Sequence, residues 1–216
     1  MFLQILFLIL GVFACSTAAI FIRLSSVHPV MLSALRLFVA AVVLTPLFLR
    51  DRRRHRARYT RKDLFDTIIP GLLLGIHFIS WIAGIKMATV ANGSLIVNLV
   101  PIAMPFFLYF LIREKLTGRE WLATGIALGG TALLVACDFN LDRQYFIGDI
   151  ICFVSMLFFC LYLAFSRKYR HVSSLWLYVV PLYYIAGVFC LVCAIVWGLV
   201  RDADALPQLY SGKDWL

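Results

Sequence analysis

Charge is scarce in this 216-residue chain, and negative charge is scarcest. Only 11 Asp and Glu stand against 20 Lys and Arg, and charged residues make up 14% of the sequence where soluble domains carry about 25%. Polar surface is equally short, because 63% of the residues are hydrophobic. These shortages exclude a soluble globular domain and leave a membrane protein. No glycine-rich Walker loop occurs, so ATP-driven transport by this chain alone is excluded. No His-x-x-x-His, no Gly-x-Ser-x-Gly and no intramembrane carboxylate pair occurs either. A membrane hydrolase therefore has no nucleophile or metal to work with.

The six cysteines, Cys15, Cys137, Cys152, Cys160, Cys190 and Cys193, all lie in apolar runs and read as small buried hydrophobes. Cys190 and Cys193 form a C-x-x-C pair, but no second pair or neighbouring His completes a metal site. Neither metal nor cofactor is expected.

What the chain has in abundance is apolar runs, each near the ~20 residues that a bilayer core requires. There are seven: Phe2 to Ile22, Val30 to Leu49, Leu64 to Ile85, Val90 to Ile112, Trp121 to Cys137, Phe146 to Phe165 and Leu175 to Val200. The fold class is thus all-α, with seven transmembrane helices. Val12 to Cys15 has the form of a lipoprotein cleavage box, but no basic residue precedes the first run and six spans follow it. A retained helix is expected rather than a signal peptide.

The basic residues give the orientation. Arg50 to Lys62 holds eight, Arg113 to Arg119 three and Arg167 to Arg170 three, against five on the opposite side. By the positive-inside rule the N-terminus is cytoplasmic and the segment after span seven lies outside. The run from Arg50 to Lys62 reads as a topology anchor touching anionic lipid headgroups, not as a nucleic-acid patch. A cytoplasmic N-terminus and the absence of Lys from span seven also argue against a seven-helix receptor or photoreceptor.

Polar residues at bilayer depth usually face a cavity. Arg36 lies six positions from Val30, about 9 Å below the outer end of span two, and Asn98 lies about 12 Å down span four. No acidic residue sits at that depth, so Arg36 needs carbonyls, amides, water or a bound anion beside it. Ser94, Asn98, Pro101 and Pro105 share one helical face, and His77, Ser80, Trp81 and Gly84 form a similar stripe on span three. Substrate-path candidates are Arg36, His77, Trp81, Ser94 and Asn98. Plainer roles compete for four of them: snorkelling to the membrane surface for Arg36, an interhelical hydrogen bond for Asn98, a structural histidine for His77, and belt or core packing for Trp81. Gly71 with Gly75, and Gly125 with Gly129, have the G-x-x-x-G spacing that lets helices approach closely.

An internal echo joins Phe21-Ile22-Arg23 at the end of span one to Phe165-Ser166-Arg167 at the end of span six. Five spans separate them, so the second copy enters the membrane inverted. A more specific signal is the stretch from Ala83 to Pro101 (AGIKMATVANGSLIVNLVP), followed by Arg113-Glu114-Lys115-Leu116-Thr117 and the glycine-rich Gly125 to Gly130. Together with Arg36 in Ser33-Ala34-Leu35-Arg36-Leu37-Phe38, these residues resemble the EamA-type carriers of the drug/metabolite transporter superfamily. The likeness covers the first five spans well and the last two loosely.

The resemblance implies a first five-helix repeat over residues 1–138 and an incomplete, inverted second repeat over residues 146–216. It implies a secondary transporter, by efflux or exchange, of small metabolites, amino acids or drugs across a bacterial inner membrane. The partners are then a small-molecule substrate and membrane lipids, with no nucleic acid. Such carriers have ten helices, and Ser211 to Leu216 resembles the lead-in to span three, so the sequence stops where an eighth helix is expected. The alternative is accordingly an inactive or interacting membrane fragment. Gly125, Gly129 and Ala132, which in the family pack on second-half helices, then offer a face for self-association. Glu114 reads as a loop charge rather than a ligand.

Overall fold

The computed structural model describes residues 2–55, 59–113, 117–141, 143–169 and 174–201. Those residues are helical almost throughout, with no strand among them. The helices are α1 (Phe2–Leu24), α2 (Pro29–Arg54), α3 (Arg61–Phe65), α4 (Ile68–Met87), α5 (Val90–Val97), α6 (Val100–Ile112), α7 (Gly118–Leu141), α8 (Arg143–Lys168) and α9 (Leu175–Val200). Five segments are long and apolar enough to cross a bilayer: Pro29–Arg54, Arg61–Met87, Val90–Leu111, Arg143–Lys168 and Leu175–Val200. α1 and α7, of 23 and 24 residues, each extend roughly 35 Å at the α-helical rise. The chain is an all-α membrane protein.

Local chemistry sets the helix ends. Pro29 occupies the first turn of α2, where its missing N–H costs nothing. Thr60 and Asp63 cap α3 reciprocally, the Asp63 carboxylate accepting the Thr60 N–H at 2.7 Å. Thr117 and Glu120 do the same for α7, and these bonds hold the Glu120 carboxyl below its usual pKa. Ser174 caps α9 by accepting the Trp176 N–H at 3.3 Å. α6 stops at Arg113, whose φ of 58° is left-handed, a conformation usually left to Gly or Asn.

Two of the sequence-predicted spans are broken, and a proline follows each break, although Pro46, Pro105 and Pro181 sit inside continuous helices. Pro101 has no N–H for the Val97 carbonyl, and the expected continuous helix from Val90 to Ile112 divides at Asn98–Leu99 into α5 and α6. Pro70 likewise cannot bond the Asp66 carbonyl, and the helix interrupted after Phe65 resumes at Ile68.

α4 and α8 form the centre of the packing, while α9 lies against α2 and α4. α5, α6 and α7 pack on α8, and α1 touches α4 and α5. Small residues permit these approaches. A Cβ at Gly71 would meet the Ile185 side chain at 2.8 Å and one at Gly75 would meet Phe189 at 2.7 Å, so this G-x-x-x-G pair seats α9. Gly84 and Gly148 form a second seam between α4 and α8, where a Cβ on Gly148 would lie 2.3 Å from the Ala88 nitrogen. Nothing among the described residues comes within 4 Å of a Cβ at Gly125 or Gly129. Apolar side chains on the outer helix faces, Phe13 and Leu133 among them, are exposed as they are in lipid-facing helices.

Candidate functional site

The site begins with a column of rings between α4 and α8. Trp81 stacks on His77 (centroids 6.2 Å, planes 17° apart), His77 on Phe159 (4.4 Å, 15°) and Phe159 on Tyr162 (5.7 Å, 16°). Phe78 meets both His77 and Trp81 edge to face. The column follows from spacing, because His77 and Trp81 are one turn apart on α4 and Phe159 and Tyr162 nearly one turn apart on α8.

Arg36, reaching in from α2, caps this column. Its guanidinium carbon lies 5.5 Å from the Phe78 ring centroid and 5.5 Å from that of Trp81. Such cation–π contacts contribute about 0.5–2 kcal/mol each. Arg36 also lines a cavity of ≈ 460 Å³ together with Thr17, Ala18, Phe21, Ser25 and Leu32, between α1 and α2. The indole N–H of Trp81 is enclosed and has no hydrogen-bond acceptor among the described residues. The guanidinium on the cavity wall suits a ligand that carries oxygen acceptors.

His77, 5% exposed, is bolted to α8. The Ser155 hydroxyl donates to the His77 carbonyl at 2.9 Å. Its lone pairs then face Nδ1, 2.8 Å away, and the Ser155 carbonyl lies 3.0 Å from the same nitrogen. Two acceptors around Nδ1 assign the proton to that nitrogen. Ser155→Ala removes one donor and one acceptor from this buried junction. It should lower stability by about 1–2 kcal/mol, read as a fall in the thermal unfolding midpoint in detergent.

The remaining candidates stand elsewhere. Asn98 is exposed, and its amide donates to the Ser94 carbonyl in its own chain segment at 2.7 Å. The break at Pro101 thus ties these two residues to each other rather than to the ring column. Glu114, and the side chains of Cys15, Cys137 and Ala132, lie outside the described residues. Cys152, Cys160, Cys190 and Cys193 are free thiols, and among the described residues no group of His, Cys, Asp and Glu could hold a metal ion.

Three polar features at the opposite end of the bundle from the Arg-rich run escape the sequence reading. Asp149 is wholly buried, three residues into the apolar run of span six, and accepts from the Asn92 amide at 3.3 Å. Its place inside that run was the available signal. Arg23 and Lys86, counted above only as loop charges, cap each other's helices. Arg23 donates to the carbonyls of Ile85 (3.1 Å) and Ala88 at the end of α4. Lys86 donates to those of Ser25 (2.8 Å) and Val27 just past α1. Cations at helix C-termini are favoured twice, by hydrogen bonding and by the macrodipole. Ser25, held by this clamp, also lines the Arg36 cavity. Arg23→Gln or Lys86→Gln should cost about 2 kcal/mol and speed thiol labelling of a Ser25→Cys reporter. Unchanged labelling would show that the clamp does not limit access.

Residues 2–136 match the model of the EamA-like transporter family. The chain belongs to that family. It is 26% identical over 132 residues to a protein of Rickettsia bellii named S-adenosylmethionine uptake transporter, a match covering 60% of this chain and 44% of that protein. The transporter YoaV of Bacillus subtilis, named as uncharacterized, is 24% identical over 156 residues, covering 70% of this chain and 52% of YoaV. A Rickettsia prowazekii protein, also named S-adenosylmethionine uptake transporter, is 24% identical over 132 residues, covering 60% of this chain and 44% of that protein. The chain spans about half the length of the curated relatives it matches. No solved structure matches at a significant level.

Proposed function

We propose that this chain carries small carboxylate-bearing metabolites across a bacterial inner membrane as a secondary transporter, without enzymatic activity. The observation that supports this most is the Arg36 guanidinium held over Phe78 and Trp81 on the wall of a ≈ 460 Å³ cavity. Arg36 supplies a planar pair of donors for a carboxylate, and Phe21, Ile22 and Leu32 of the cavity wall an apolar or stacking surface. The Rickettsia relatives are named for S-adenosylmethionine, an amino acid joined to an adenine ring. Such a zwitterion with a planar group matches this set of partners, and it is the first substrate to test.

The sequence reading favours efflux or exchange with the N-terminus inside, a first five-helix repeat over residues 1–138 and an incomplete, inverted second repeat over residues 146–216. The pairing of α4 with α8 and α2 with α9 fits repeats that meet around the Arg36 column. Membrane vesicles containing the chain should exchange radiolabelled S-adenosylmethionine or an amino acid faster than vesicles without it. No exchange of any compound in that panel would count against the reading.

A second reading has one observation in its favour. The open Gly125–Gly129 face of α7 suits close docking of another helix, so a second copy of the chain would seat there. Cysteine placed at Gly125 should then crosslink two copies in the membrane, whereas cysteine at the exposed Ala123, on the far side of α7, crosslinking equally well would mark random collision.

A further inference from the structure

At the Arg-rich end of α2, Leu49, Arg52, Arg53 and Tyr59 line a cavity of ≈ 320 Å³. Tyr59 is set there by its ring, edge to face with Phe48 at 6.1 Å. Its hydroxyl oxygen is enclosed and has no hydrogen-bond partner among the described residues. Burial and, after it, the nearby Asp63 carboxylate raise the Tyr59 pKa above the usual tyrosine value, outweighing Arg52. The hydroxyl therefore stays a neutral donor.

The two arginines are equally idle. Among the described residues the one ion pair is Arg50 with Asp51, at 3.0 Å, and the other Asp51 oxygen accepts from Ser174 at 2.5 Å. Arg52 and Arg53 are exposed, with no carboxylate partner among the described residues. Two cations and a neutral donor, with no acidic group among the described lining residues, call for an anion rich in oxygen acceptors. The apolar side of the cavity narrows the choice. Val39, Val42, Val43, Pro46 and Leu49 are all exposed along one face of α2, and their three- and four-residue steps run as a stripe into the cavity.

We propose that this cavity is a binding site for the phosphodiester headgroup of an anionic phospholipid. Arg52 and Arg53 hold the phosphate oxygens through charge-assisted hydrogen bonds and Tyr59 donates a further one. The acyl chains lie along the Val39–Leu49 stripe, an attachment that a free phosphate lacks. By the positive-inside rule this end faces the leaflet where basic pockets meet anionic lipid.

The test is thermal unfolding of the delipidated chain in an uncharged detergent, titrated with dioleoyl phosphatidylglycerol. The wild type should gain stability saturably, while dioleoyl phosphatidylcholine and inorganic phosphate at matched concentration should give none of the gain. In Arg52→Gln/Arg53→Gln the half-saturating lipid concentration should rise at least about tenfold, and in Tyr59→Phe about threefold. Arg61→Gln/Lys62→Gln removes the same charge from exposed positions outside the cavity and should keep the wild-type value. Equal losses in the two double variants would reduce the site to diffuse charge and overturn the proposal. Stabilisation by inorganic phosphate alone would make the ligand a soluble anion and overturn it too.

Discussion

Replacing Gly148 by leucine is expected to abolish the folded protein, the largest structural effect of any single substitution considered. A Cβ at this position would lie 2.3 Å from the Ala88 nitrogen and 2.8 Å from the Met87 carbonyl carbon. These are backbone atoms at the end of α4, so no side-chain rotation relieves the contact. α8 would have to retreat from α4, opening the seam around Gly84 and Cys152 and pulling apart the His77–Ser155 junction further along the same interface. Overpacking usually costs about 1–3 kcal/mol, and a backbone clash at a central helix pair belongs at or above the top of that range. Fluorescence-detected size exclusion of the detergent-extracted protein should show no monodisperse peak for Gly148→Leu. Gly125→Leu, at a position with open space around it, should elute like the wild type. A normal Gly148→Leu peak would mean that α4 and α8 are not packed in this way.

Arg36→Gln is expected to give the largest functional effect, with expression unchanged. The variant keeps some of the side chain's length but loses the charge that a carboxylate would meet, together with both ring contacts. Charged hydrogen bonds of this kind contribute about 1.5–3 kcal/mol, which corresponds to a loss of roughly tenfold to a hundredfold in exchange rate at low substrate. Arg36→Lys should be intermediate, since a point ammonium keeps the charge without the planar fork. Trp81→Phe, which removes the indole N–H while keeping a ring under Arg36, should cost less than either. If both Arg36 variants exchange a verified substrate at the wild-type rate, Arg36 is a structural residue.

The spans were legible because one dominant force writes them. Seven apolar runs mark helices close to those found, and G-x-x-x-G at Gly71 and Gly75 sits where α9 approaches. Pro101 and Pro70 were visible but not read as breaks, because hydropathy does not register a missing N–H. The site was legible one residue at a time. Arg36, His77 and Trp81 stood out by polarity or size at depth, and helical spacing put His77 and Trp81 on one face. Phe78, Phe159 and Tyr162 did not stand out, since in so aromatic a chain nothing distinguishes a stacked ring from any other. Asn98 carried an equal polarity signal, yet its amide serves the Ser94 carbonyl, a local bond that depth along an ideal helix cannot foresee. Arg23 and Lys86 were hidden by the same bookkeeping that gave the orientation, in which a loop cation is a count and not a contact.

The central claim, that Arg36 charges a ligand-accessible cavity between α1 and α2, is open to a test that needs no known substrate. Thr17 lines the cavity with Arg36. With the native cysteines replaced, Thr17→Cys would be labelled in membranes by a negatively charged sulfonate thiol reagent and by a positively charged trimethylammonium reagent of similar size. The account predicts that the anionic reagent reacts about tenfold faster relative to its rate with free thiol, and that Arg36→Gln erases the preference. A cavity that excludes both reagents, or a preference that survives loss of Arg36, would contradict it.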